Sequence, residues 1–178
     1  MLKKLDKELT VLNSELTEIA GELKFERICE FDMATAKEIP WEKLKSKGIY
    51  LMEIQNNSNH ETFKEWVEEF QAEWEMEEYK WHFVPNLKKK RIKMHSELNE
   101  WIPIYIGKSR NIEKRIYEHI FIDLQRNTFA LKLNCRENMH DKNFRLSILK
   151  VETANYDWVV PKLERYFRDE INPLIGKQ

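Results

Sequence analysis

Three short apolar runs constrain what this chain can fold into: GIYLMEI at 48–54, WIPIYIG at 101–107 and FRLSILKV at 144–151. Each is too short for an ordinary helix and rich in β-branched or aromatic residues, as strands are. In the third run Phe144, Leu146 and Ile148 alternate, so one face is expected to be buried. Pro103 removes a backbone donor from the second run, which leaves that point unpaired on one side or near a sheet edge.

Helical patterns occupy much of the remainder. Leu2, Leu5, Leu9, Leu12, Leu16, Ile19 and Leu23 follow the 3-4 spacing of a coiled-coil seam. The flanking Glu8, Glu15 and Glu22, with Asp6, Asn13 and Ala20, give a parallel homodimer no attractive pairs. The stripe therefore serves self-association or packing on the helix's own domain. Pro40 opens a short helical piece at 41–47. A helix is expected over 58–82, capped by Ser58 and Glu61. Phe63, Trp66, Val67, Phe70 and Trp74 form its core stripe, and an acidic face that includes Glu65, Glu69 and Glu73 is solvated. Residues 111–122 form a helix that buries Ile112, Ile116 and Ile120, and a last helix starts after Asp157, its expected cap, and runs to about Ile171, where Asn172-Pro173 stops it. TFALKL at 128–133 fits neither period clearly, and the polar run after it reads as a loop.

At 178 residues the chain can bury one real core. No apolar run approaches the roughly 20 residues needed to span a bilayer. The acid-containing N-terminus does not read as a signal peptide. Cys29 and Cys135 stand far apart and outside any metal-ligand spacing, so a reduced, cytoplasmic protein without membrane attachment is expected. The net charge of −1 conceals an asymmetry: residues 1–80 hold 11 Lys/Arg against 19 Asp/Glu, and residues 81–178 hold 19 against 12. An acidic half joined to a basic half suggests that the second half meets a polyanion. Within it, Lys88, Lys89, Lys90 and Arg91 form a basic run that is either solvated or tracks a nucleic-acid backbone. Arg110 and Lys114 are further candidates for backbone contact.

The apolar run ending at Gly107 empties into Lys108, Arg110, Lys114 and Arg115, then His119. Arg115 and His119 are four apart and share a helix face. Arginine grips phosphate through two parallel donors, and histidine can move a proton near neutrality. The plainer readings are an ion pair of Arg115 with Glu118 or Glu113 and a satisfied, partly buried His119. Glu164 shares a stripe with Val160, Phe167 and Ile171, which puts a carboxylate on a packing face. It needs a cation there, either Arg115 or Lys108, or a hard metal ion such as Mg²⁺. Tyr50 and Tyr105 read as packing residues by period, yet a hydroxyl so placed could orient or deprotonate a water if cations lower its pKa.

Gly48-Ile49-Tyr50 and Tyr105-Ile106-Gly107, followed by Arg115 and by Glu164 ahead of a helix-ending Pro173, resemble the GIY-YIG nuclease family. Lys108 after the second triplet also matches, and His119 matches restriction-enzyme members. The resemblance covers 48–54 and 101–176. It implies an α+β fold, a small three-stranded sheet flanked by helices, with residues 1–47 as an N-terminal helical extension and 55–100 as a helical and basic insertion in a nuclease domain spanning 48–178. It implies divalent-metal-dependent hydrolysis of DNA phosphodiesters with Mg²⁺ or Mn²⁺, in an enzyme of the restriction or phage-defence kind that works as a homodimer or tetramer. Glu164 would hold the metal and Arg115 the scissile phosphate. Tyr50 would be the general base, assisted by His119, with Tyr105 positioning water or phosphate and Lys108 adding positive charge. Two features depart from the family: the two tyrosines are 55 residues apart, and Gly176 stands where members often have Asn. A non-cleaving nucleic-acid-binding module and a structure-selective or RNA-directed nuclease remain alternatives.

Overall fold

The computed structural model describes residues 1–176. In chain order these form α1 (Leu2–Glu22), β1 (Glu26–Phe31), β2 (Gly48–Gln55), α2 (Phe63–Trp74), β3 (Asn86–Leu87), α3 (Lys89–Ile92), β4 (Trp101–Ser109), α4 (Ile112–Phe121), β5 (Phe144–Lys150), α5 (Tyr156–Ile171) and β6 (Ile175–Gly176). The fold is α+β. Its main sheet has the order β1-β5-β2-β4, with every neighbouring pair antiparallel.

Alternation along β2 sends its residues to two cores. Tyr50, Met52 and Ile54 pack with α2, α4 and the 131–139 segment. Ile49 and Leu51 pack with α5 and the end of α1. α1 is thus only half docked: Leu16 and Ala20 meet α5, while Leu2, Leu5, Leu9 and Leu12 stay exposed.

Four expectations are corrected. The sheet has four strands rather than three, and the N-terminal extension is not wholly helical, because residues 26–31 pair along β5. The strand escapes period-two reading because its register shifts between Arg27 and Cys29. That irregularity lets Ile28 and Phe31, three apart, reach the same core. The helix expected over 58–82 is shorter, and its capping box is Thr62 with Glu65 rather than Ser58 with Glu61. Asn155, not Asp157, precedes the first turn of α5. Among the described residues no helix is long and apolar enough to cross a membrane.

The insertion is tied down at two places. Arg136, buried without a carboxylate partner among its hydrogen bonds, donates to Trp74 O (3.1 Å), Tyr79 O (3.4 Å) and Leu131 O (3.3 Å), and its guanidinium lies 3.7 Å over the Trp74 ring. Burial pushes this guanidinium down to about 10. At the other place, β3 pairs with β6, which follows α5 directly.

Candidate active site

Tyr50 and Tyr105 lie on one sheet face, as plain alternation through the Tyr50–Gly107 and Met52–Tyr105 pairs requires. Tyr50 is paired with Gly107 and Met52 with Tyr105, but Glu53 is paired with Pro103, so Ile104 is an extra residue in β4. Ile102, Ile104 and Tyr105 consequently all join the core that holds Tyr50, whereas Ile106 turns to the other face. Without this bulge Ile102, three residues from Tyr105, would point to the opposite side. Bulges next to a site re-aim side chains in this way. Here the two rings stack with centroids 6.2 Å apart.

The glycines of both triplets have steric reasons. Gly48 sits at φ +150, and a Cβ there would drive into the Leu149 carbonyl and stand 3.1 Å from Val151 N. The Tyr50 ring lies across Gly107: a Cβ at that position would be 2.5 Å from Tyr50 Cζ and 3.1 Å from Tyr105 Cε1. Gly107→Ala must therefore displace the Tyr50 ring in a packed interior, at a cost of about 1–3 kcal/mol. The expected result is a lower melting temperature and a His119 ring whose NMR signals no longer report a bond to Tyr50. Unchanged signals would remove the steric argument.

His119 is fully buried on α4 and fixes Tyr50 from the other side. Leu131 N–H donates to His119 Nδ1 (3.1 Å), so Nδ1 carries no proton and Nε2 does. Nε2–H then donates to Tyr50 Oη at 2.9 Å. The histidine is held well below its ordinary pKa by burial and secondarily by Arg115, which keeps it neutral. The phenol hydroxyl, with its acceptor lone pair engaged, directs its own proton toward other partners. Because Arg136 holds the Leu131 carbonyl, the insertion braces this hydrogen-bonded series from behind.

Arg115 leaves the same helix one turn earlier. It pairs with Glu118 (2.7 Å) and donates to the Phe129 carbonyl, and it also draws the Tyr50 and Tyr105 hydroxyls toward ionisation. The plain ion-pair reading of Arg115 holds, and the same guanidinium also acts on both phenols. Burial is nonetheless the stronger influence, and both phenols are raised, Tyr50 well above the ordinary tyrosine value. The expected cationic lowering of Tyr50 does not prevail in the free protein. Arg115 itself is raised, despite burial, by the phenols and Glu118.

Glu164 approaches from α5, which also packs against β4, the edge strand of the sheet. It is ion-paired with Lys108 at the end of β4, with side chains 16% and 37% exposed. Both tyrosines feel the charge of Glu164. Among the described residues no group of three His, Cys, Asp or Glu is gathered. A lone carboxylate beside phenol oxygens nevertheless fits a hydrated Mg²⁺, which keeps several waters and takes few protein ligands.

The other candidate cations divide. Arg110 turns to the start of α5, pairing with Asp157 (2.8 Å) and covering the Tyr156 ring at 4.4 Å. Lys114 is exposed beside Trp41 and Tyr117, on a groove away from the tyrosine pair. Lys88, Lys89 and Lys90 line an open cleft of about 500 Å³ with Arg91 and Arg168. Arg91 turns inward, and its guanidinium feels Glu164 and Tyr105. Sequence reading missed the Ile104 bulge and the bracing by Leu131 and Arg136. Pro103 inside a strand was the one available sign of irregularity.

Comparison of the chain with protein-family models, with curated proteins and with solved structures finds no match among any of them.

Proposed function

We propose that this protein is a divalent-metal-dependent DNA endonuclease of the GIY-YIG kind, serving restriction or phage defence. The observation that carries the reading is convergence. Two strands 55 residues apart and one helix bring Tyr50, Tyr105, Arg115 and His119 to one face, and α5 delivers Glu164 to the adjoining edge. A packing core has no use for two tyrosine hydroxyls, a guanidinium and a carboxylate gathered in this way. A phosphodiester site needs a cationic grip, a proton acceptor and a metal-holding oxygen.

In the reaction, the water oxygen bonds to phosphorus, and the P–O3′ bond breaks with its electron pair leaving on the 3′ oxygen. The water's proton passes to Tyr50 in its phenolate form. Arg115 holds the non-bridging oxygens and offsets their growing charge. His119, already protonated at Nε2, does not take the Tyr50 proton; its N–H stabilises the phenolate. Glu164 would hold Mg²⁺ or Mn²⁺ once Lys108 releases it, and such an ion supplies Lewis acidity and stabilises the leaving oxygen. Lys108 is then free to meet phosphate.

Plasmid incubated with the protein and Mg²⁺ tests the reading. Fragments with defined ends support a restriction enzyme, ragged ends a non-specific nuclease, and uncut DNA a binding module. Lys88, Lys89 and Lys90 are proposed to track the DNA backbone. Changing all three to Gln should weaken binding and reduce the slope of log K against log salt by about 0.9 per lost phosphate contact on duplex DNA. An unchanged slope would make this run a solvated face only.

Cutting both strands calls for two sites, and a second copy is proposed to meet the undocked half of α1. Leu5 and Leu9 are 51% and 38% exposed there. Replacing both with Glu should shift the sedimentation mass to that of a single chain without lowering the melting temperature. A wild-type chain that already sediments as a monomer would sink this assembly.

A further inference from the structure

We infer that Arg91, carried by the inserted segment, binds a non-bridging phosphate oxygen of the strand beside Glu164, and that position 176 is glycine because the guanidinium lies across it. The inference rests on the endonuclease reading and adds a substrate-binding residue to that site.

The placement is built by hydrogen bonds. β3 and β6 pair Asn86 with Gly176 and Leu87 with Ile175. Lys88 N–H donates to Leu174 O (2.8 Å), and His95 Nε2–H donates to Asn172 O (2.8 Å). Leu174 N–H in turn donates to Pro103 O (3.0 Å), two residues from Tyr105 on β4. The basic turn of the insertion is thereby locked against the chain that follows α5 and against the strand that carries Tyr105. From this turn Arg91 Nη1 donates to Pro173 O at 3.5 Å. A Cβ on Gly176 would stand 2.8 Å from Nη1 and 3.7 Å from Cζ of Arg91, so even a methyl group would crowd this arginine.

Chemistry separates Arg91 from its neighbours in sequence. Arg168 and Asp169 line the same cleft, and their opposite charges act on Arg91 together with those of Glu164 and Tyr105. Lys89 and Lys90 are exposed point charges suited to following a backbone from outside. A half-buried guanidinium held at Pro173 O and across Gly176, within electrostatic reach of Glu164, is suited to holding one phosphate in one orientation. Arg91 and the three lysines line one cleft, so a strand held at Arg91 can leave along them.

Single-turnover cleavage and equilibrium DNA binding would be measured on the full chain for wild type, Arg91→Ala, Arg91→Lys, Gly176→Ala, the Arg91→Ala/Gly176→Ala pair and Glu164→Ala, with melting temperatures alongside. Arg91→Ala should slow cleavage about 10²–10³-fold while DNA affinity changes less than about threefold, the range expected when one oriented donor is lost. Arg91→Lys should fold as wild type and still cut at least about fivefold more slowly, because an ammonium cannot grip two oxygens in a plane. Gly176→Ala should slow cleavage in the wild-type chain and have no further effect once Arg91 is Ala. The inference is overturned if Arg91→Ala cuts at the wild-type rate while Glu164→Ala is dead. It is equally overturned if Arg91→Ala alters only affinity and salt slope, or if Gly176→Ala acts independently of Arg91. An inactive wild type, or an active Glu164→Ala, fails the endonuclease reading itself and is distinguishable from these results.

Discussion

Glu164→Ala is expected to abolish Mg²⁺-dependent cleavage, with a loss beyond the 10²–10³-fold that about one electrostatic donor supplies, while DNA binding and fold survive. The fold should survive because the carboxylate is not a buried structural anchor. Its partner Lys108 is 37% exposed, and a pair at such a surface contributes at most about 1 kcal/mol. Val160, Leu163 and Phe167, which do anchor α5 to the sheet, remain. Binding should persist or tighten, because removing an anion frees Lys108 to meet phosphate. Full cleavage by this variant would remove Glu164 as metal holder. Loss of binding together with cleavage would instead make the Lys108–Glu164 pair a structural element of the DNA surface.

The residues gathered at this candidate site were named from the sequence through the ordered GIY-YIG-like motifs, since taken singly each has an ordinary structural explanation. Their geometry was not legible there. Ile102 shares the face of Tyr105 only through the extra residue Ile104, and a bulge leaves no mark on composition. β1 was invisible for the same reason, since its register shift spoils the alternation that reveals a strand. The seven-residue stripe of α1 was read correctly as apolar, yet its division into a docked end and an exposed start depends on where α5 lies. Most of all, the sequence made proton removal by Tyr50 conditional on nearby cations lowering its pKa. Burial decided the sign, and burial is set by α4 and the 131–139 segment, which sequence distance does not disclose.

That sign yields a prediction about rate against pH. A buried Tyr50 with a pKa well above the ordinary value is protonated at neutral pH, and its phenolate fraction grows tenfold for each unit of pH below that pKa. His119 is lowered well below 6.5 and stays neutral across the same range. Single-turnover cleavage should therefore rise with a slope near one in log rate from about pH 6 to about pH 9, with no lower limb at the ordinary histidine value. Tyr50→Phe should cut about 10²–10⁴-fold more slowly, the usual worth of a positioned acid–base group, and its residual rate should lose most of the slope. The variant also strips the acceptor from His119 Nε2–H, so a stability loss of about 1–3 kcal/mol is expected and rates must be compared well below its melting temperature. A wild-type profile that bends near pH 6.5, and keeps that bend in Tyr50→Phe, would transfer the proton acceptor's role from the tyrosine to a histidine. A slope that persists unchanged in Tyr50→Phe would assign proton removal to a group outside the tyrosine pair, leaving Tyr50 to orient the water through the hydrogen that His119 turns outward.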